Sequence, residues 1–272
     1  MKIGIFSDSH EGNLEERIAE RFVEEKVDML IGLGDYGDEM NTSPAKITKA
    51  LSPFCKTQIP FLAIPGNYES MESWNDSLNS IQGQLIDGVS NPIFTLGGIN
   101  FISVPGNVPD AEPFFINLKE KISKSGLDLS KSILVSHYPP RQIGRGTDYS
   151  VFARNLYTGE EYFGRTTKEA LALPGYRKSF RNSGSGKLAN FIQEMKINFV
   201  FSGHIHEAFG GFGREGNKIL PQILDTDYLY LNPGPARNGI YAIVNTKLEE
   251  KLKLSFRIQA LNALTYYEGL FT

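Results

Sequence analysis

The sequence predicts one α/β domain whose C-terminal half is rich in β-structure. Two patterns predict it. Short apolar runs alternate with amphipathic stretches from Lys2 to Ser202, and beyond Tyr228 only short β-like segments separated by turns remain. In addition, no repeat, low-complexity stretch or linker divides the 272 residues, so one domain over 1–272 is the expectation.

Lys2 to Ser7, mostly Ile, Phe and Gly, reads as a buried strand. Asn13 follows as an N-cap with Glu16 as its capping-box partner, and Leu14, Ile18, Phe22 and Val23 fall on one face of the helix behind it. Met29 to Leu33 and Phe61 to Ile64 read as further buried strands. Helices are expected at Pro44 to Leu51 between them and at Trp74 to Ile86 after them, with Phe54 and Trp74 in the core. Ile93 to Leu96 and Ile99 to Val104, joined by Gly97-Gly98, read as a hairpin. A helix at Phe114 to Lys124 leads to a strand at Ser132 to Ser136, and a helix at Lys187 to Met195 leads to a strand at Phe199 to Ser202. Tyr228 to Leu231, Ile240 to Val244 and Lys251 to Ala260 complete the tail.

Composition excludes several classes. The 31 acidic and 28 basic side chains leave a net charge of −3, which excludes a general binder of polyanions. The lone Cys55 rules out a disulfide framework or a four-cysteine zinc site. The first apolar run, Ile3 to Phe6, is too short for a signal peptide and no window suits a membrane span, so a cytoplasmic protein without membrane contact is expected. Gly32 to Gly37 matches the spacing of a dinucleotide fingerprint, but Asp35, Asp38 and Glu39 would repel a pyrophosphate there.

Arg141 to Lys187 departs from this rhythm. It holds nine basic and four acidic side chains, a net of +5 in a chain whose total is −3, together with seven aromatics. A connection this long is usually functional or disordered. We expect the insertion, about 141–183, to form a lid whose Arg141, Arg145 or Arg181 contacts an anionic substrate, with an aromatic stacking on a ring; a solvated loop or a subunit interface is the competing expectation.

Five predicted strands end in polar clusters that deliver Asp8, His10, Asp35, Asn67, His137, His204 and His206 to one rim. All four histidines of the chain are in this set. Imidazoles with carboxylate and amide oxygens suit manganese, iron, zinc or nickel. Seven such ligands exceed one tetrahedral site and match two ions about 3.5–4 Å apart that clamp a phosphoryl group.

Asp8-Ser9-His10, Gly34-Asp35, Gly66-Asn67, Ser136-His137 and Gly203-His204-Ile205-His206, in that order, resemble the calcineurin-like metallophosphoesterases. Leu231-Asn232-Pro233-Gly234-Pro235 resembles a turn typical of small members. The resemblance implies two mixed β-sheets packed face to face and flanked by helices, a four-layer α/β/β/α sandwich. It implies that Asp8, His10, Asp35 and His206 hold one divalent ion and that Asp35 bridges to a second held by Asn67, His137 and His204, with manganese favoured over iron, zinc or nickel. A hydroxide bridging the two ions would then attack a phosphoester in line. One departure concerns the third motif, Gly66-Asn67-Tyr68-Glu69, where members of the family commonly carry a histidine at the place of Tyr68. Tyrosine, with an unperturbed pKa of about 10, is a poor general acid, and members lacking that histidine tend to cleave phosphodiesters or esters with good leaving groups. Glu69, like Tyr68, is open to the plainer reading that it packs the loop, and Glu11 is a smaller departure where the family often has glycine. The expected reaction is hydrolysis of a small anionic phosphoester, nucleotide-like in one version, with phosphodiesters favoured. Alternatives are a nuclease on short nucleic acid and a non-catalytic scaffold of the same fold.

Overall fold

Alternation along each strand decides the layering. The computed structural model describes residues 1–38, 40–107, 111–141, 149–163, 166–206, 208–213, 218–219 and 226–261. The chain opens with β1 (Lys2–Phe6), α1 (Glu15–Glu24), β2 (Met29–Gly32), α2 (Pro44–Cys55), β3 (Phe61–Ala63), α3 (Met71–Leu78) and β4 (Leu85–Asp87). It continues through β5 (Ile93–Leu96), β6 (Ile99–Val104), α4 (Glu112–Ser125), β7 (Ser132–Ser136), β8 (Tyr149–Asn155), β9 (Glu161–Phe163), α5 (Thr166–Leu171), β10 (Tyr176–Asn182), α6 (Gly186–Met195) and β11 (Phe199–Ser202). The tail adds β12 (Gly210–Phe212), β13 (Lys218–Ile219), β14 (Leu229–Asn232), β15 (Ile240–Leu248) and β16 (Leu252–Ala260).

Two mixed sheets result, in the orders β16-β15-β1-β2-β3-β4 and β13-β12-β14-β11-β7-β6-β5. Parallel pairing joins β1 through β4 in the first and β6, β7, β11 and β14 in the second. Parity then sorts the side chains. Ile3 and Ile5 of β1, Ile133 and Val135 of β7, and Phe199 and Phe201 of β11 fill the core between the sheets. The intervening Phe6 packs with α1, α2 and α3 outside the first sheet, while Leu134 and Val200 pack with α4 and α6 outside the second. This is the four-layer sandwich, and each fully buried Ile or Phe contributes about 1.5–3 kcal/mol to it. Gly4 shows how close the outer layer lies, because a Cβ there would sit 2.6 Å from the Phe22 ring. No helix among the described residues is long and apolar enough to cross a membrane.

Four local expectations change. Asn13 does not cap α1; it adopts φ +56°, its Oδ1 accepts from Lys49 Nζ at 3.0 Å, and Leu14 occupies the cap position without a side-chain bond. Val23 is 50% exposed, because the buried stripe of α1 runs through Glu15, Ile18, Ala19 and Phe22. The helix expected over Trp74 to Ile86 stops at Leu78, and Gly83 at φ +129° turns the chain into β4. Trp74 and Phe54 are buried as expected. Among the described residues of the basic insertion, β8, β9 and β10 form a three-stranded antiparallel sheet of order β10-β8-β9, in contact with α5.

Candidate metal centre

Parallel strands lay the loops after β1, β2, β3, β7 and β11 along one edge, and hydrogen bonds then lock these loops to one another. Asp8 N–H donates to Gly34 O at 3.0 Å, His10 N–H to Asp35 O at 3.2 Å and Gly203 N–H to His137 O at 3.0 Å. Asp8, His10, Asp35 and His204 all have left-handed backbones, with φ of 56°, 42°, 55° and 68°. Asp and His are among the residues that tolerate this region, at a cost. Gly66 permits a close approach, since a Cβ there would lie 2.1 Å from Asp35 Oδ1.

The buried Glu69 carboxylate fastens two of these loops. Its Oε2 accepts from Asp35 N–H at 3.0 Å and Gly66 N–H at 2.7 Å, and its Oε1 from Tyr36 N–H at 2.9 Å and Gly37 N–H at 3.3 Å. Burial and the neighbouring Asp35 carboxylate push its pKa up to about 7, while the N–H donors favour the charged form. A carboxylate following a Gly-Asn turn, among backbone donors with no strand partner, is the signal that distinguishes this role from mere packing.

All seven expected ligands converge. Asp8, His10 and His206 form one group and Asp35, His137 and His204 another, the ligand atoms of each lying within 4.8 Å of one another. His206 Nε2 is 3.3 Å from Asp8 Oδ1 and 3.2 Å from His10 Nε2. Asp35 Oδ2 lies between the groups, 3.3 Å from His137 Nε2 and 3.9 Å from His10 Nε2. Asn67 Oδ1 is 2.9 Å from His137 Nε2.

The donor chemistry fits divalent cations. His10 Nδ1 donates to Gly37 O at 2.9 Å and His137 Nδ1 to Leu33 O at 2.7 Å, so both rings turn Nε2 inward, as metal-binding imidazoles do. Burial works to raise Asp8, but hydrogen bonds from His10 and His206 outweigh it and hold the carboxyl well below its usual range. Burial of Asp35 is likewise outweighed by the charge of His137. Burial would lower His137, yet the Asp35 and Asp8 carboxylates push it up to about 9. Burial and the charge of His137 bring His204 down to about 3.

Tyr68 sits half-buried at the same rim, its ring edge-on to His10 at 5.1 Å and its N–H donating to Asp35 Oδ1 at 3.1 Å. Burial and the Asp35 carboxylate raise its pKa further. Arg141 is exposed beside the stem of the insertion, where its N–H donates to Ser185 O at 3.0 Å and Ser185 N–H returns a bond to Pro139 O at 2.8 Å. Arg181 bonds Glu161 at 2.6 Å and lies over the Phe152 ring at 5.3 Å, within the small sheet. Arg145 lies outside the described residues. Glu11 bonds Lys46 at 2.7 Å.

Two further residues join the centre from the Asn232-Pro233-Gly234-Pro235 turn. Asn232 Nδ2 donates to Ile205 O at 2.9 Å, tying the turn to the loop of His204 and His206. Arg237 N–H donates to Asp8 O at 3.2 Å, and its Nη2 lies 2.8 Å from His206 Nδ1. The turn itself is readable in sequence, but the arginine two residues beyond it carries no pattern of its own.

The model of the calcineurin-like phosphoesterase family matches residues 1–208, a span that contains all seven expected ligands. Among solved structures, TT1561 of Thermus thermophilus aligns with a TM-score of 0.55 at 12% identity, over 96% of this chain and 99% of that one. GAP50, the anchor in the inner membrane complex of Plasmodium, aligns with a TM-score of 0.53 at 13% identity, over 100% of this chain and 95% of that one. At these identities the likeness shows the fold. No curated protein matches the chain.

Proposed function

We infer the reaction from the premise that the chain belongs to the calcineurin-like phosphoesterase family: it is a metal-dependent hydrolase of phosphoesters, and phosphodiesters are its favoured substrates. The observation that carries this reading is the pair of adjacent three-ligand groups with Asp35 between them. Asp8, His10, Asp35 and His206 would hold one ion, and Asp35, Asn67, His137 and His204 the other. Bound there, the ions supply Lewis acidity toward phosphoryl oxygens and lower the pKa of water.

The chain's own groups do the rest. The Gly37 and Leu33 carbonyls fix the tautomers of His10 and His137. Glu69 holds the Asp35 loop against the Asn67 loop. Tyr68 can donate a hydrogen bond to an ester oxygen, but its raised pKa makes it a poor proton donor to a departing alkoxide. That favours esters whose leaving group departs unaided, and it supports diesters over monoesters. The insertion springs from the paired Pro139, Arg141 and Ser185 backbones, directly after His137, which supports a lid that brings Arg141 to the substrate anion.

A hydrolysis panel of paired aryl phosphate mono- and diesters, with manganese, zinc, iron, nickel and magnesium in turn, tests the reading. We expect the highest kcat/KM for diesters with manganese. A marked monoester preference overturns the inference from Tyr68. A chain that binds no divalent ion and turns over nothing favours the scaffold reading instead.

A further inference from the structure

Ile64-Pro65-Gly66-Asn67 recurs later in the chain as Val104-Pro105-Gly106-Asn107. The first copy leads out of β3 and the second out of β6, and in both the first three residues are buried and the asparagine half-buried. The fold docks one copy on the other. Gly106 N–H donates to Pro65 O at 2.8 Å, and a Cβ on Gly106 would lie 2.6 Å from Gly66 C and 2.9 Å from His137 Cβ, so glycine is needed for the contact. β6 runs parallel to β7, with Val104 opposite Ser136, so its end reaches the rim that receives His137. The loop after β6 thus joins the five that carry the expected ligands.

The two asparagines differ in what their amides meet. Asn67 Oδ1 lies 2.9 Å from His137 Nε2. Asn107 Oδ1 and Nδ2 are both buried, and among the described residues neither has a hydrogen-bond partner. No other described side chain leaves two buried polar atoms in that condition. A buried amide without partners destabilises a fold, and the large majority of buried polar groups are paired. An apolar side chain of similar size would hold the turn without that cost. An orphaned amide at the rim of the expected metal centre is explained by a ligand that enters there. The amide offers two N–H donors, and an ionised phosphoryl group offers only acceptors.

We propose that Asn107 is a substrate-binding residue of this centre, its Nδ2 donating to a non-bridging oxygen of the substrate's phosphoryl group. This rests on the phosphoesterase reading above and adds to it a neutral donor supplied by the second sheet. The loop of Asn107 lies against Gly66 and His137, whereas Tyr68 stands beside His10. The phosphoryl group thus meets a hydroxyl from the His10 side and an amide from the His137 side. Two neutral donors from separate loops fix its orientation, which is what a displacement in line requires.

The test compares the wild-type chain with Asn107→Leu, which fills the place with an apolar side chain, and Asn107→Asp, which keeps the shape but turns a carboxylate on the anion. Affinity for inorganic phosphate is read by calorimetry on the manganese-loaded protein, manganese stoichiometry and affinity are read separately, and KM and kcat follow on an aryl phosphodiester. Asn107→Leu should weaken phosphate binding by about 10–100-fold, as loss of a hydrogen bond to a charged group does, with manganese affinity unchanged. Asn107→Asp should weaken phosphate binding at least as much, because it adds repulsion. Phosphate affinity and KM equal to the wild type in Asn107→Leu would overturn the proposal and leave the phosphoesterase reading standing. Weakened manganese binding in Asn107→Leu would also overturn it, since the amide would then serve the ions and not the substrate. A wild-type chain that binds no ion and hydrolyses no ester would overturn both. If Asn107→Leu fails to fold, Asn107→Asp decides by phosphate affinity and KM.

Discussion

Replacing Glu69 with glutamine changes one oxygen for an NH2 group at constant shape. In the native centre Oε1 and Oε2 each accept two backbone N–H groups, all four of them buried. A carboxamide keeps one oxygen, so two N–H groups would face another donor. Each unsatisfied buried donor costs about 1–3 kcal/mol, or about 2–6 kcal/mol for the pair. Loss of the Glu69 charge also removes the cost of burying it and its repulsion with Asp35, which together offset part of this, and a net loss of about 1–3 kcal/mol is expected. Whichever oxygen survives, the damage falls on donors of the Asp35 loop, and with the other rotamer on Gly66 beside Asn67. Manganese affinity should therefore drop together with stability. Denaturant unfolding of the metal-free chain gives the first quantity and calorimetric titration with manganese gives the second. A Glu69→Gln chain within about 0.5 kcal/mol of the wild type, with unchanged manganese affinity, would refute the assignment of Glu69 as the link between these loops.

Metal binding should release at least one proton per chain at pH 7.5, measured in weak buffer, because His137 with a pKa of about 9 is protonated there and must lose its proton to ligate, whereas His204 at about 3 has none to lose. The same shift makes the metal-free fold sensitive to alkali. The folded-state pKa of His137 lies above the unfolded value, so its stabilisation is complete below about pH 6.5 and is lost as pH rises through 9, visible as a falling Tm that saturating manganese abolishes. Arg141→Ala should raise KM for an anionic ester about three- to tenfold with kcat little changed, and an unchanged KM would end the lid assignment. Chelation should leave the far-ultraviolet circular dichroism intact and lower Tm only by the binding linkage, whereas wholesale unfolding would show that the ions are structural.

The convergence of the expected ligands was legible because short continuous apolar runs announce buried strands and the polar residue after each run marks its end. Asp8, Asp35, Asn67, His137 and His204 follow from that grammar alone. The sandwich followed from family resemblance, since parity cannot say which sheet a strand joins. Asn13 misled because capping rules assume an extended approach to the helix, whereas Asp8, His10, Glu11 and Asn13 all take positive φ. Leu85–Asp87 was missed because a three-residue, half-buried edge strand has neither alternation nor a long apolar run. The small sheet was hidden by its exposure: the charged Arg177, Lys178 and Arg181 along β10 read as solvated loop. Glu69 was only partly open to local reading, because Gly66 lies three residues away but Asp35, Tyr36 and Gly37 lie more than 30 away, and Arg237 meets His206 at a separation of 31 residues.

Four of the seven ligand residues sit in left-handed backbone, and each such residue costs about 1 kcal/mol or more. Such strain persists only where the surroundings over-determine it, and here the restraints are all protein. Asp8 is held by Gly34 O and by the Arg237 N–H, Asp35 by Glu69, and His204 by its own N–H on Asp8 Oδ2 at 3.1 Å. None of these bonds needs an ion. These loop-to-loop bonds hold the strained residues in place. A centre built this way ties stability to activity: substitutions at Glu69 or Asn232 should harm both.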